Sequence, residues 1–177
     1  MCPEYSAIAY PPLIVRLVDP QLTPDAAIGQ LESFDFATAV TPQTVVDPDM
    51  ARACTSGLWL KHDFLDRSHE ISQCISSATG SFWHGIMHRQ EGDFSNAKYW
   101  FRKVGEHPIF PALAAAAHAI HSEQFPDAER WDPYDFVDRC AASADQSIPD
   151  PTLAKIIAAE WELLFAYCFQ SAIGVAS

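Results

Sequence analysis

Seven of the thirteen prolines fall within the first 50 residues, at Pro3 and in the stretches YPPLIV, VDPQLTPDA and VTPQTVVDPD. Proline locks φ near −65° and has no amide hydrogen to donate, so neither a long helix nor a central strand can run through that spacing. Residues 1–48 are therefore expected to form a proline-rich arm of short ordered pieces packed on a core. Within the arm, Thr23-Pro24-Asp25 has the order of a helix cap followed by proline at the first helical position, which predicts a short helix to about Ser33. LIVRLV and TVV are expected to be extended.

From Asp47 onward the apolar residues recur at helical spacing, and residues 49–177 read as a single all-helical domain. Asp49 is the expected cap of a helix over residues 50–64, and Asp66 opens a second in DRSHEISQCI, broken at Thr79-Gly80. A third helix is expected from Ser81 to about Glu91. Gly92-Asp93 then turns the chain, and Asp93 or Ser95 caps a fourth helix that stops at Gly105 and Pro108. PALAAAAHAIHSEQ and DPYDFVDRCAAS supply two more. The last and longest, PTLAKIIAAEWELLFAYCFQSAIG, is expected to be central, because only Lys155, Glu162 and Gln170 share its narrow polar arc. Glu160 falls off that arc and is a candidate partly buried carboxylate. The fold class is all-α, with six to seven helices in tandem αα-hairpins.

Almost half of the residues are hydrophobic, which rules out a disordered chain, and a net charge of −12 disfavours both nucleic acid and anionic membrane surfaces as partners. The five cysteines (Cys2, Cys54, Cys74, Cys140, Cys168) form no CxxC pair and are odd in number, which points to buried reduced thiols. MCPEYSAIAYPPLIV lacks a basic segment before its apolar run, and no uncharged apolar run approaches membrane-spanning length, so a cytoplasmic location is expected. No GxSxG, P-loop or GxGxxG pattern occurs, which leaves serine-hydrolase and nucleotide readings without support.

The chemistry-bearing residues concentrate in GSFWHGIMHRQEGDFSNAKYWFRKVGEHP, residues 80–108. His84, Met87, His88 and Glu91 stand at i, i+3, i+4 and i+7, so one helix face presents two imidazoles and a carboxylate. His62 and His69, with Asp66 between them, would share a face if the chain stayed helical there. Such groups can act as an acid/base pair near neutral pH, or hold zinc or another divalent transition metal. In the metal-bound reading His62, His84 and His88 are the expected ligands. Arg89 and Arg102 are candidate anchors for an anionic group, and Trp83, Tyr99 and Trp100 candidate walls. Each has a plainer alternative in core packing, helix capping or a solvated charged face.

Gly85, Gly92, Phe94, Ala97 and Phe101 fall at the spacing of a tetratricopeptide repeat, and the hairpin resembles one such unit. Residues 57–74 resemble a weaker neighbour, with Gly57 matching Gly85 and Asp66 matching Asp93. The unit departs from the repeat where His84 and His88 replace large apolar residues. From about Asp49, the chain also resembles a family of small, all-helical proteins of bacteria and fungi, mostly without assigned function. LDRSHEISQ, FWHGIMHRQEGDFSNAKYWFRKVGEHP, WDPYDFVD and EWELLFAYC carry that resemblance. It implies a single all-helical domain.

The leading functional expectation is a small cofactor-independent enzyme of isomerase, cyclase or lyase type, acting on an apolar or amphipathic metabolite. His62, His69, His84 and His88 would supply acid/base groups, Asp66 would orient an imidazole, and Arg89 would hold an anion, with Glu91 lining the pocket. A tetratricopeptide-like interaction module, binding a protein partner or a second copy, is one alternative. A metal-dependent enzyme using the same histidines is the other.

Overall fold

The computed structural model describes residues 8–148 and 150–175, and over that range the chain is all-helical, with no strand among the described residues. Ten helices follow in order: α1 (Pro12–Leu17), α2 (Pro24–Glu32), α3 (Phe36–Ala39), α4 (Pro48–Lys61), α5 (Leu65–Ser72), α6 (Ala78–Gln90), α7 (Phe94–Val104), α8 (Phe110–Ile120), α9 (Pro133–Ala144) and α10 (Pro151–Ile173). This corrects the expected six to seven. Seven helices lie between Pro48 and Ile173, and three precede Pro48 where one was expected.

The added helices follow from where the prolines sit. LIVRL, expected to be extended, lies in α1, with Pro11 as its N-cap residue and Pro12 at the first helical position. A missing amide hydrogen costs nothing there. Ile14 and Leu17, three residues apart, turn inward and are fully buried. Asp47, rather than Asp49, caps α4 by accepting from the amides of Asp49 and Met50 at 3.0 Å. The amide of Val46 donates to the carbonyl of Ala172 at 2.8 Å, which fastens the segment before α4 to α10. Residues 1–7, including Cys2, lie outside the described residues. Of the remaining cysteines, all free, Cys54 and Cys168 are buried, Cys140 is half-buried and Cys74 is exposed, which corrects the expectation of uniformly buried thiols.

The break before α6 also falls earlier than expected. Thr79 and Gly80 are inside the helix, and Ser77 caps it by accepting from the amide of Gly80 at 3.2 Å. Asp93 caps α7 through the amide of Asn96, at 3.1 Å. Helices pack in chain order, α4 on α5, α5 on α6 and α6 on α7, while α10 lies against α4 and α8. By length and composition alone α10 could cross a bilayer, yet Ile156, Leu164, Phe165 and Phe169 are buried inside the bundle.

The most enclosed helix is α6, in which every residue from Thr79 to Arg89 is buried. Two glycines make that depth possible. A Cβ at Gly57 of α4 would stand 2.7 Å from the ring of Trp83, and one at Gly85 would stand 3.1 Å from Phe101 of α7. A helix enclosed on all sides is usually apolar throughout, whereas α6 carries two histidines and an arginine, each of which must find a partner.

Arg89 finds Glu160. Its guanidinium forms a bidentate pair with that carboxylate, and both side chains are almost completely cut off from water. The guanidinium also lies 4.7 Å from the ring centre of Phe136. Removing one partner strands the other charge, so Arg89→Met is expected to lower unfolding free energy by about 3–5 kcal/mol. The double substitution Arg89→Met with Glu160→Leu is expected to recover most of the loss, measured by urea denaturation; equal loss in both would show that the pair is not what Arg89 contributes.

Candidate functional site: a three-histidine cluster

α5 and α6 face each other so that His69 meets His84 and His88, which stand one helical turn apart on α6. One ring nitrogen from each lies within 4.8 Å of the others. The ring centres are 4.6 Å apart for His69–His84, 4.7 Å for His84–His88 and 5.6 Å for His69–His88. His84 and His88 are buried and His69 is half-buried, so the cluster approaches solvent on the His69 side. Trp100 of α7 lies against His84 with its ring centre 3.9 Å away, and the Lys103 ammonium sits 4.1 Å from the Trp100 ring centre.

Hydrogen bonds orient the two buried rings. The Ser72 hydroxyl donates to the carbonyl of His69 at 3.4 Å and meets His84 Nδ1 at 3.1 Å. That contact holds the ring through Nδ1, and among the described residues His84 Nε2 has no hydrogen-bond partner. His88 Nδ1–H donates to Glu91 Oε1 at 2.6 Å, which leaves its Nε2 free in the same way. The Asn96 amide nitrogen is 3.3 Å from His88 Nδ1 and 3.1 Å from Nε2. Near-equal distances place it over the ring face and off both in-plane lone pairs. Two imidazoles are thus oriented through one nitrogen and open at the other, as in histidines that ligate metals.

His62 belongs elsewhere. α4 ends at Lys61, and Asp63 takes a φ of 66°, so the chain does not stay helical between His62 and His69. His62 Nε2–H instead donates to the carbonyl of Leu17 at 2.7 Å, holding α1 to the core. Asp66 is exposed in the first turn of α5 and lines a polar recess with Asp63, Arg67, Glu70 and Glu91. Among the described residues it makes no bond to an imidazole, so its expected orienting role falls to Ser72 and Glu91. Arg89 is consumed by Glu160 and does not serve as a free anion anchor.

The candidate aromatic walls separate. Trp83 is core, its indole N–H directed at Cys168 Sγ at 3.4 Å. Tyr99 is 45% exposed, with Arg102 and Lys103 over its ring, and Arg102 is itself exposed. Only Trp100 touches the cluster. Ser72, Asn96 and Lys103 escaped the sequence reading, since a serine, an asparagine and a lysine on helices carry no pattern until a partner from another helix faces them.

Burial, together with the nearby His88, His69 and Lys103, holds His84 far below the ordinary histidine value of 6.5, at about 3. Burial alone lowers His107, whose Nε2 is 3.2 Å from the Thr79 hydroxyl, to about 4. Comparison with known protein families, with curated proteins and with solved structures finds no match to this chain.

Both histidines stay neutral in the folded protein while their unfolded counterparts take up a proton below about pH 6.5. Because the unfolded state binds more protons there, stability rises with pH across this window and is lost as pH falls from 6.5 towards 4. The urea midpoint is expected to fall across that window in metal-free protein. His107→Gln is expected to flatten the fall, and an unchanged slope would assign the acid sensitivity to other groups.

Proposed function

We propose that the chain is a metal-dependent enzyme in which His69, His84 and His88 hold one transition-metal ion, zinc being the best match to three imidazoles. The observation that supports this is the meeting of three histidines from two helices, two with Nδ1 already bonded and Nε2 left open. Three protein nitrogens leave a tetrahedral ion one position for water, whose pKa falls to about 7 on zinc. The reaction class is then hydrolysis or the addition and removal of water, which keeps the lyase chemistry expected from the sequence and gives the histidines a different part in it. Zinc–nitrogen bonds of about 2.0–2.1 Å require the three rings to draw in from their present spacing, a small side-chain adjustment with His69 the most exposed of the three.

Within this reading each neighbour has a task. Glu91 accepts from His88 Nδ1–H and raises that ring's basicity, and Ser72 holds the His84 ring through Nδ1. Trp100 shields the buried side of His84 from water. The depressed proton affinity of His84 favours the neutral ring that a metal requires and disfavours its use as a general acid, which weighs against the cofactor-independent alternative. The consecutive pairing of α4, α5, α6 and α7 also supports reading them as two tetratricopeptide-like units, with the polar α6 turned to a site rather than to a bound peptide.

Untagged protein loaded with zinc and dialysed is expected to retain one ion per chain by elemental analysis. His69→Ala, His84→Ala or His88→Ala should each lose it, and His62→Ala should keep it. Glu91→Gln is expected to weaken affinity about 10–100-fold. Absence of retained zinc, cobalt, nickel, manganese or iron in folded wild-type protein would defeat the metal reading.

A further inference from the structure

A second concave feature lies on the other side of α6 from the histidine cluster's α5 partner. The ends of α4 and α6 stand apart from α9 and α10 around a cleft of 610 Å³, lined on its apolar faces by Leu60, Ile86, Phe94, Leu153, Ile157 and Trp161. That volume falls in the range of about 300–1,000 Å³ typical of small-molecule pockets. Ile157 remains 38% exposed on a helix whose other large apolar residues are mostly buried, so this wall faces solvent uncovered. The Trp161 wall is rigid. Its ring stacks on Phe165 at 4.7 Å between centres, and its indole N–H donates to the carbonyl of Gly57 at 2.9 Å.

The charges around the cleft are unequal in how they are used. Arg89 is taken by Glu160, and Glu91 accepts from His88. Asp150 caps α10 through the amide of Thr152, at 2.8 Å. Lys61 alone stands without a carboxylate. Among the described residues it forms no ion pair, and its ammonium lies 4.5 Å from the ring centre of Trp161. Half-burial lowers its pKa, opposed by the more distant Glu162. A partly desolvated ammonium at an apolar wall gains most from a single anionic oxygen pair, since water already serves it poorly.

We propose that the cleft binds a monocarboxylate with an apolar body, the body lying against Trp161, Ile157 and Leu153 and the carboxylate on the Lys61 ammonium. One uncommitted cation matches one negative charge. A neutral alcohol of the same length would leave the ammonium unpaired, and a cationic amphiphile would meet like charge at Lys61. The site meets the three-histidine cluster at Glu91 and needs no metal.

The test is isothermal titration of the full chain with dodecanoate, below its micelle concentration and in the presence of a chelator, with dodecanol and dodecylamine as head-group controls. Saturable binding of one dodecanoate, at least about ten-fold tighter than dodecanol and with no saturable dodecylamine binding, is expected. Lys61→Met keeps the apolar stem and should cost dodecanoate about ten-fold while leaving dodecanol unchanged. Ala158→Trp, at an exposed cleft position on α10, should abolish binding of both while circular dichroism and the urea midpoint stay near wild type. No dodecanoate binding, equal affinity for dodecanoate and dodecanol, or an unchanged affinity in either variant would overturn the assignment.

Discussion

The fold turns on a charged pair hidden from water. Arg89 ends the buried stretch of α6 and Glu160 sits in the middle of α10, and each would be costly to bury without the other. Their bidentate contact ties the end of α6 to α10, and Phe136 of α9 closes the guanidinium from the side. The other faces of α6 pack on α4, α5 and α7. His84 and His88 come to stand before His69, Thr79 before His107, and Trp83 in the notch opened by Gly57.

A polar helix in a protein interior is stable only when each polar group is answered, and the answers in α6 divide into two kinds. Some close the account locally, as the Thr79 hydroxyl with His107 and the Arg89 guanidinium with Glu160. Those at His84 and His88 do not, because Ser72 and Glu91 engage only one nitrogen of each ring. An interior that pairs its arginine with a carboxylate and brings a nitrogen from each of three imidazoles within 4.8 Å of the others is arranged differently from one built for stability alone. The positive side chains follow the same division, Arg89 serving the core while Lys103 lies over Trp100 at the cluster's edge and Lys61 over Trp161 at the cleft.

The departures between sequence and structure have local physical causes. Asp66 and His62 looked like companions of His69 because a continuous helix would have stacked them on one face. The left-handed turn at Asp63 ends that continuity and sends His62 to the carbonyl of Leu17. Arg89 looked like an anion anchor because a lone arginine on a hairpin usually faces water; the carboxylate that claims it lies 71 residues away on α10. Glu160 was legible as a candidate buried acid from its place off the polar arc of α10, though its partner was not. The short helix α1 was hidden by the same prolines that start it, since Pro-Pro reads as a break until the chain beyond it is seen to turn inward.

By itself the sequence determined the helical class, the approximate places of the helices after Pro48, and the placing of His84, His88 and Glu91 on one face of one helix. Those are properties of periodicity, caps and proline geometry, which act over a few residues and are written locally. Only the tertiary structure decided that His69 joins that face and His62 does not, that Arg89 is spent inside the core, and that Lys61 is left at the mouth of an apolar cleft. Each of these depends on which helix faces which. Shape-matched contacts between distant segments, such as Trp83 against Gly57 and Arg89 against Glu160, settle that choice, and no local pattern records them.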